Sequence, residues 1–334
     1  MKAIIPLAGK GTRLRPHTYH TPKPLLKVGG RPILSYLLDD VISLGVSEMV
    51  FIVGYLQDVM REFIAREYPD LKAHFVVQEV QDGTAGAIAL AEPWADEDLL
   101  ILFSDTLFDA DLSLATRMPE EDAGILWAKE VEDYQRFGVI VTREDGTMER
   151  IVEKPSEPLS RLANIGVYYI RDHELLYEGI HHTLASDPGK GGEFYLTDAF
   201  QYMVDHGARL RTAPVGGWYD CGKSETLIDT NRHLLETSRG GVDAGATVEG
   251  AEIVEPVRVE AGVVIRGGRV GPNVTVERDA RLEDAVLSDT LVGAGAHLSR
   301  VSLTRSLVGD RARVRGVHGS VSVAADSVVE SGGG

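Results

Sequence analysis

A segment with two closely spaced glycines and many basic side chains follows the first apolar run of the chain. Residues 6–25 read PLAGKGTRLRPHTYHTPKPL and include six lysine, arginine or histidine residues. Because Gly9 and Gly11 carry no side chain, backbone N–H groups there can approach an oxyanion. Thr12 adds a hydroxyl, and Arg13 adds a charged fork. The pattern predicts a phosphate-binding loop; a glycine-rich turn that binds no ligand is the alternative.

The loop matches neither of the two commonest glycine motifs. A P-loop needs Gly-x-x-x-x-Gly-Lys-Ser/Thr, and the dinucleotide fingerprint needs a third glycine where Leu14 stands. A second feature nevertheless favours phosphate binding. Pro22 and Pro24 flank Lys23, and two proline rings stiffen the backbone that presents this one ammonium group. We interpret Lys23 as the partner of a fixed phosphate, with a solvated loop lysine as the alternative.

Two aspartates, Asp105 and Asp220, are candidates for holding a metal ion. Asp105 follows the apolar run LLILF, at the end of a predicted strand where open α/β sheets place ligands. Asp220 lies in the sequence WYDCG. Carboxylate oxygens are ligands that Mg²⁺ takes in proteins. The two are distant in sequence, so only the fold can bring them together, and a turn or helix-capping aspartate is the alternative for each.

Short runs rich in β-branched residues alternate with helical patterns up to about residue 236, which predicts a βαβ sheet that is mostly parallel. The predicted strands are Lys2–Leu7, Glu48–Val53, His74–Gln78, Leu99–Phe103, Gly124–Lys129, Phe137–Val141, Ala163–Ile170 and Arg209–Pro214. The predicted helices are Pro32–Leu44, Gln57–Glu67, Asp172–Leu184, Leu196–His206 and Ser224–Glu236. The first half alternates regularly, whereas the second half mixes strand directions.

The pattern changes after RGGVDAGA, residues 239–246. Helical periodicity and aromatic residues disappear, and an aliphatic residue recurs about every sixth position. The recurring residues are Ile253, Val259, Ile265, Val270, Val276 and Leu282. The stretches LSDTLVGAGAHL and LTRSLVGDRARV repeat with an offset of sixteen residues. This predicts a β-helix with its aliphatic residues inside, with a small β-sandwich as the alternative, and domains at residues 1–238 and 243–331.

Bulk composition narrows the function classes. The chain has 334 residues, a formal net charge of −17 and no long run of lysine and arginine, so we expect no nucleic-acid partner. No apolar stretch approaches the ~20 residues of a membrane span, so no membrane partner is expected. Cys221 is the single cysteine and cannot form an internal disulfide. With too short an apolar run for a signal peptide, the expected location is the cytoplasm.

Residues 9–34, GKGTRLRPHTYHTPKPLLKVGGRPIL, resemble the signature of sugar-1-phosphate nucleotidylyltransferases, which join a nucleoside triphosphate and a sugar phosphate into a nucleotide sugar. The resemblance continues in order through QDGTAGAI, SDTLF, FGVI, VEKP, NIGVYY, FYLTDA and WYDCG. The C-terminal repeats resemble the left-handed β-helix of several members. The implied fold class is α/β, a Rossmann-like mixed-sheet nucleotidyltransferase domain followed by a short left-handed parallel β-helix.

The resemblance also implies a role for each matching residue. Arg13, Lys23 and Asp105 match catalytic residues, and Asp105 with Asp220 matches the ligands of Mg²⁺, the implied cofactor. The implied nucleotide-binding residues are Leu7, Ala8, Gly9, Gly11, Thr12, Arg13, Gln78, Gly83 and Thr84. The implied sugar-phosphate-binding residues are Gly138, Glu153, Lys154, Asn164 and Trp218. In the implied reaction the sugar phosphate attacks the α-phosphorus in line and pyrophosphate leaves, without an enzyme nucleophile.

Gln78 is the residue from which we predict the base of the nucleotide. A glutamine amide donates and accepts hydrogen bonds, which suits the O4/N3 edge of thymine or uracil, whereas the guanylyl members that the chain resembles tend to have glutamate there. We therefore expect dTTP with glucose 1-phosphate first. UTP with glucose or N-acetylglucosamine 1-phosphate is the second expectation, and GTP with mannose 1-phosphate the third. A catalytically silent regulatory subunit is the alternative from another class.

The C-terminal repeats suggest a second activity, acetyl transfer. Some bifunctional relatives of this kind acetylate an amino sugar on their β-helix with a histidine as general base, and His297 and His318 are the candidates here. The expected role of the repeats is instead to bury an aliphatic face between subunits or to cap the catalytic domain. A homo-oligomer is therefore expected.

Overall fold

The structure is a computed structural model that describes residues 1–237 and 240–331. Residue contacts divide the chain into two units. The first unit joins Met1–Lys10 to Leu37–Trp218, and the second joins Gly11–Tyr36 to the chain from Tyr219 onward. The predicted end of the first domain, residue 238, lies outside the described residues. The predicted domain boundaries stay a prediction.

A nine-stranded mixed sheet forms the centre of the first unit. Its strands are β1 (Lys2–Pro6), β2 (Glu48–Val53), β3 (Lys72–Val77), β4 (Leu99–Leu102), β5 (Gly124–Glu130), β6 (Gly138–Thr142), β7 (Met148–Glu153), β8 (Leu162–Ile170) and β9 (Leu210–Pro214). The order is β7-β6-β8-β4-β1-β2-β3, with β5 paired to β8 and β9. The strands β4, β1, β2 and β3 are parallel neighbours, while β8 runs antiparallel to β4, β5 and β6.

The central strands β1, β2 and β4 are apolar except for the first residues of β1 and β2, Lys2 and Glu48, as is typical of parallel strands covered on both faces. Ile4, Val50 and Ile101 are each at most 1% exposed and belong to one core cluster. The helices are α1 (Ile33–Ser43), α2 (Gln57–Glu67), α3 (Thr84–Ala89), α4 (His173–Ala185), α5 (Leu196–Asp205) and α6 (Ser224–Thr237). In the same cluster, the rings of Phe200 on α5 and Tyr168 on β8 lie 4.7 Å apart.

Most predicted helices and strands are confirmed to within about two residues, and the mixed strand directions of the second half are confirmed as well. The sequence missed β7 and α3. The helix α3 has six residues, TAGAIA, and is too short to show a helical period. Short strands also occur at Lys27–Val28, Arg31–Pro32, Thr106–Phe108 and Trp218–Asp220. The 3₁₀ helices are Thr12–Leu14, His17–Tyr19, Lys23–Leu25, Glu92–Trp94, Leu112–Arg117 and Tyr134–Arg136.

The C-terminal part of the second unit is a β-helix, as predicted. Its strands are Gly241–Val242, Thr247–Glu249, Glu252–Ile253, Val257–Val259, Val264–Val270, Val274–Val276, Arg281–Val292, His297–Ser299, Ser302–Val308, Arg313–Arg315, His318–Gly319, Ser322–Val323 and Val328–Glu330. Valines on successive coils pair in parallel register: Val242, Val259, Val276, Val292, Val308 and Val323. Every described strand pair in this part is parallel, so the β-sandwich alternative is wrong. The left-handed sense of the β-helix stays a prediction.

The repeats found in the sequence are offset by sixteen residues, and paired residues on two neighbouring coils have the same separation. Leu287 pairs with Leu303, and Val292 pairs with Val308. The aliphatic residues point inward, and Val270, Ile265 and Leu282 are fully buried in a single cluster. Buried aliphatic area is therefore the main stabilising contribution to the coils. Among the described residues, no helix has both the length and the apolar character needed to cross a membrane.

Replacing a ladder valine tests this packing. We expect Val270→Ala, which removes two buried methyl groups, to lower the free energy of unfolding by about 2 kcal/mol. Val286→Ala is the matched control, because Val286 lies in the next coil but is 46% exposed and is expected to cost less than about 0.5 kcal/mol. Urea unfolding followed by circular dichroism measures both, and equal losses would contradict the inward orientation of Val270.

Candidate active site

The carboxyl ends of four parallel strands carry most of the predicted nucleotide residues of the first unit. The loop Leu7–Gly9 follows β1, Gly54 follows β2, Gln78 follows β3, and Asp105 follows β4 by three residues. Because parallel strands end on the same edge of a sheet, these residues share one edge. Open α/β sheets bind ligands at this edge.

The backbone around Ala8 is closely packed, whereas Gly9 is open. The Leu7 N–H donates to the Ile52 carbonyl at 2.7 Å, and the Gln81 side chain donates to the Ala8 carbonyl at 2.7 Å. A Cβ at Gly54 would lie 3.0 Å from that carbonyl oxygen. At Gly9 a Cβ would meet no described atom within 4 Å. Packing therefore does not require glycine at position 9, and the space beside it is open to a ligand.

The side chain of Gln78 lies close to Gly83, with its amide nitrogen 3.5 Å from the Gly83 carbonyl oxygen, and Thr84 follows Gly83 in the chain. The Gln78 amide nitrogen donates to Asp82 Oδ1 at 3.2 Å, and Gln78 itself is 9% exposed. Gly83 has φ +123°, and a Cβ there would lie 2.3 Å from the Phe194 carbonyl oxygen, so only glycine fits. The Thr84 hydroxyl accepts a hydrogen bond from the Leu196 N–H at 2.8 Å. This pairing links the loop after β3 to the start of α5.

The predicted sugar-side residues Gly138, Glu153 and Asn164 form one cluster. Gly138 on β6 faces Glu153 on β7 in the strand register. A Cβ at Gly138 would lie 2.8 Å from Glu153 Oε2 and 3.6 Å from the Asn164 amide nitrogen. The Asn164 Oδ1 accepts from the Gly166 N–H and the Tyr168 hydroxyl, at 2.9 and 2.7 Å. With its oxygen so occupied, Asn164 presents its amide NH₂ toward the space that the missing side chain at Gly138 leaves.

Glu153 and Lys154 form a partly buried ion pair. Lys154 Nζ lies 3.7 Å from Glu153 Oε1, donates to the Tyr195 hydroxyl at 3.3 Å, and lies 4.7 Å from the centre of the Tyr195 ring. Burial raises the pKa of Glu153, although Lys154 opposes this. Burial also works against the charge of Lys154, but the Tyr195 hydroxyl and Glu153 outweigh it and raise the pKa of the ammonium. The ammonium therefore stays charged and fixed in direction, as phosphate binding requires.

Trp218 lies beside this cluster. Its ring is edge-on to Phe137, the residue before Gly138, at a centroid distance of 4.9 Å. The Trp218 Nε1 is buried and has no hydrogen-bond partner among the described atoms. An indole N–H is a donor only, and a buried donor without a partner is costly. A substrate oxygen is a suitable partner for it.

The second unit brings together the other predicted phosphate residues. Gly11 has φ +60°, and a Cβ there would lie 3.0 Å from the Lys23 Cβ, so the glycine loop packs directly on the segment that carries Lys23. A Cβ at Gly222 would lie 2.8 Å from Asp220 Oδ1 and 3.4 Å from Arg13 Nη2, so both charged groups border the same glycine. The Gly222 N–H donates to Asp220 Oδ1 at 2.7 Å. Thr12 and Arg13 are exposed at the start of a 3₁₀ helix.

The two predicted metal ligands belong to different units, Asp105 to the first and Asp220 to the second. Asp105 is exposed in the turn after β4 and adds negative charge near the buried Tyr168. Both donors are carboxylates, which fits Mg²⁺, since this ion is usually held by one or two carboxylates together with substrate phosphates. Within residues 1–237 and 240–331, no group of three or more histidine, cysteine, aspartate or glutamate side chains could hold a metal by itself.

Sequence reasoning missed three residues that the structure places beside predicted ones. Gln81 binds the Ala8 carbonyl, Tyr195 contacts Lys154, and the Thr197 hydroxyl lies 3.4 Å from Glu153 Oε2. All three lie inside motifs that carried the resemblance, QDGTAGAI and FYLTDA. Their motifs were a signal, but their partners are distant in sequence. The candidate acyl-transfer histidines, His297 and His318, are both exposed on the coils.

Comparison with known proteins shows the family to which the chain belongs. The family model described as "Nucleotidyl transferase" matches residues 2–237. The chain belongs to the nucleotidyl transferase family. This membership confirms the resemblance to sugar-1-phosphate nucleotidylyltransferases and the prediction of an enzyme of that class.

Relatives of this nucleotidyl transferase carry different names. The UTP–glucose-1-phosphate uridylyltransferase AglF of Haloferax volcanii is 30% identical over 71% of this chain and 97% of its own length. The glucose-1-phosphate thymidylyltransferase of Streptomyces griseus is 29% identical over 94% of this chain and 93% of its own length, so that match includes the coils. The bifunctional protein GlmU of Methanococcus aeolicus is 34% identical over 76% of this chain and 60% of its own length.

A solved structure shares the fold of this nucleotidyl transferase. The crystal structure of UDP-glucose pyrophosphorylase in complex with UDP-glucose has a TM-score of 0.63, at 24% identity, over 71% of this chain and 99% of that chain. At this identity the likeness shows the fold alone. Together with the parallel coils, it confirms the predicted fold class of a mixed-sheet nucleotidyltransferase followed by a β-helix.

The raised pKa of Glu153 gives a prediction about stability and pH. Above its ordinary value near 4.5 and up to the raised value, the folded protein holds this proton while the unfolded chain has lost it, so the free energy of unfolding falls as pH rises through that window. We expect Glu153→Gln to remove this part of the fall. Glu149→Gln, at an exposed position of the same strand, is the matched control. Urea unfolding at pH steps from 4 upward measures both, and identical slopes in the two variants would contradict the prediction.

Proposed function

We propose that the protein transfers a nucleotidyl group from dTTP to glucose 1-phosphate, which forms a nucleotide sugar and pyrophosphate. The observation that carries this proposal is the cluster of Gly138, Glu153, Lys154 and Asn164. A carboxylate and an amide NH₂ border a space that has no side chain, and a fixed ammonium lies next to them. Carboxylate and amide suit sugar hydroxyls, and the ammonium suits the phosphate on the sugar. Trp218 Nε1 offers one further donor.

In this proposal a phosphate oxygen of the sugar attacks the α-phosphorus of the nucleotide in line. A new oxygen–phosphorus bond forms, the bond from the α-phosphorus to the bridging oxygen breaks, and pyrophosphate leaves with the electron pair. No residue acts as a nucleophile. Arg13 and Lys23 neutralise negative charge on the phosphates, and the backbone N–H groups of Ala8, Gly9, Gly11 and Thr12 donate to them. The Leu7 N–H is already bound to the Ile52 carbonyl, so Leu7 is proposed to border the nucleotide through its other atoms. Lys154 and Glu153 orient the attacking sugar phosphate, so that catalysis rests on position and charge.

Asp105 and Asp220 are the proposed ligands of Mg²⁺. When bound with the nucleotide, this ion supplies positive charge that stabilises the developing charge on the phosphoryl oxygens. Asp105 is suited to this role because it is exposed at the carboxyl edge of the sheet. Asp220 is suited because its carboxylate borders the same glycine as the Arg13 guanidinium, a group that binds phosphate.

Gln78 supports the choice of a pyrimidine base. Its NH₂ group donates to Asp82, so its amide oxygen remains the group that can accept the N3–H of thymine or uracil. Gly83 and Thr84 are proposed to border the same base. The relatives named for UTP and for thymidylyl transfer keep UTP with glucose or N-acetylglucosamine 1-phosphate as the second candidate. GTP with mannose 1-phosphate is third.

Two further proposals follow from the sequence. The protein acts in the cytoplasm, which its single cysteine supports. It forms a homo-oligomer. Two aliphatic residues on the surface of the coils support this, because Val286 is 46% exposed and Val328 is 64% exposed. Light scattering of the purified protein tests the second of these.

A grid of substrates tests the proposed function. Purified protein with Mg²⁺ is incubated with dTTP, UTP, GTP or ATP, each with glucose, N-acetylglucosamine or mannose 1-phosphate, and pyrophosphate release is measured. Reactions that lack the sugar phosphate are the control for hydrolysis. We expect the highest kcat/KM with dTTP and glucose 1-phosphate. A maximum with UTP or GTP would select the second or third candidate, and no release with any pair would favour a catalytically silent subunit.

Asp105→Asn tests the proposed metal ligand. The substitution keeps the size of the side chain but removes its charge, so we expect kcat to fall by at least about 10²-fold while the unfolding temperature stays unchanged. Asp109→Asn is the control, because Asp109 is another exposed aspartate four residues along the same part of the chain. Pyrophosphate release at saturating substrates measures the effect. Wild-type turnover in Asp105→Asn would remove this residue from the metal role.

A further inference from the structure

The segment Gly11–Tyr36, here called the signature segment, carries Arg13 and Lys23 and lies in the same unit as the coils. Lys27, four residues after Lys23, forms an ion pair with Glu277 on the turn after the strand Val274–Val276. The side chains of Lys27 and Glu277 are 28% and 11% exposed. The two partners are 250 residues apart in the sequence. A coil residue that no motif contains therefore contacts the segment that carries the proposed catalytic cations.

Asn231 on α6 makes a second connection between the signature segment and the coils. It is fully buried, and its Oδ1 accepts from the Gly29 N–H at 2.9 Å and from the Thr275 hydroxyl at 2.7 Å. Its Nδ2 donates to the Asn273 carbonyl at 3.4 Å. One side chain thus joins the turn after Lys27 to the strand that precedes Glu277. Buried polar groups that are satisfied in this way fix one arrangement of the elements that they join.

The path from Lys27 back to Lys23 is short and hydrogen-bonded. The Leu26 N–H donates to the Lys23 carbonyl at 3.1 Å, and the Leu25 N–H donates to the Pro22 carbonyl at 2.9 Å. Lys23 in turn packs on Gly11, next to Thr12 and Arg13. A single 3₁₀ turn, Lys23–Leu25, therefore connects Lys23 to the segment that carries Lys27.

The charged groups around Glu277 show why its ion pair with Lys27 depends on both charges. Lys27 faces it from the signature segment, and Asp310 and Glu260 face it from neighbouring coils. Burial raises the pKa of Glu277 to about 7, with Lys27 opposing this shift. The pair borders a cavity of about 120 Å³ that His17, Leu25 and Leu227 also line. Because the pair is largely withdrawn from water, the loss of either charge leaves the other without compensation.

We propose that Glu277 is a positioning residue for nucleotidyl transfer, which fixes Lys27 and thereby the placement of Lys23 and Arg13. This inference rests on the proposed function. It gives the coils a role in the reaction beyond capping or association. Substitution of Glu277 changes the chemistry without a contact to substrate.

Glu277→Gln tests the inference, because glutamine has the same shape but no charge. We expect kcat to fall about 10- to 100-fold, since a displacement of about 1 Å at a phosphate-binding group has effects of this size. We expect KM for the sugar phosphate to change less than twofold. Glu277→Asp, which keeps the charge, should recover part of the loss. Glu283→Gln is the control, because Glu283 is an exposed glutamate on the strand Arg281–Val292 of the same coils.

Hydrogen exchange followed by mass spectrometry supplies a readout that needs no substrate. Peptides covering residues 22–28 should exchange faster in Glu277→Gln than in Glu283→Gln. A purely structural role would lower the unfolding temperature but leave kcat per folded molecule within twofold of wild type, and that outcome would overturn the inference. If Glu277→Gln does not fold, Lys27→Met removes the same pair from the other side and is judged by the same criteria.

The failure of the proposed function is distinguishable from the failure of this inference. A wild-type protein that is inactive with every substrate pair overturns the proposed function, whatever the exchange data show. An active wild type with unchanged kcat in Glu277→Gln and Lys27→Met overturns the inference alone. An active wild type with unchanged exchange at residues 22–28 in both variants also overturns it.

Discussion

The parallel hydrogen bonding of β4, β1, β2 and β3 brings the proposed nucleotide-binding residues of the first unit to one edge of the sheet. Strands that run in the same direction end on the same edge, and each then continues into a loop there. The glycine loop, Gln78 and Asp105 reach that edge from three different strands. The strands themselves need only buried aliphatic residues such as Ile4, Val50 and Ile101. Core and site residues therefore occupy different parts of the same sequence segments, and substitutions in one need not change the other.

Glycine has two distinct uses in this protein. At Gly83 the backbone angle and the nearby Phe194 carbonyl leave no room for a side chain, so the residue serves the fold. At Gly9 no described atom lies within 4 Å of where a Cβ would be, so packing does not explain the residue, and the space is open to the proposed nucleotide. Gly138 lies between these cases, because a side chain there would meet two of the proposed sugar-binding groups, those of Glu153 and Asn164, as well as the methyl group of Thr197. Packing thus explains glycine at position 83, whereas at position 9 the proposed ligand is needed to explain it.

The sequence predicted the elements and many of the site residues, because both leave local patterns. β-Branched runs predicted the strands, and the repeated valines predicted the coils. Partnerships over long sequence distances leave no such pattern. Lys27 and Glu277 are separated by 250 residues, and Thr84 and Leu196 by 112. The sequence predicts that Asp105 and Asp220 act together, but they are distant in sequence and belong to different units, so no local pattern can show their pairing.

The signature segment contacts the coils at two well-separated levels. Gly30 lies against Arg258 in an early coil, and His17 hydrogen-bonds to Ser322 in the last described one, at 2.9 Å. In most repeat proteins each unit contacts only its neighbours, so a unit can be added without disturbing distant ones. Here an inserted coil would carry Ser322 away from His17 by one strand spacing, about 4.8 Å. The number of coils is therefore restricted by a loop near the start of the chain, which makes this solenoid a part of defined length.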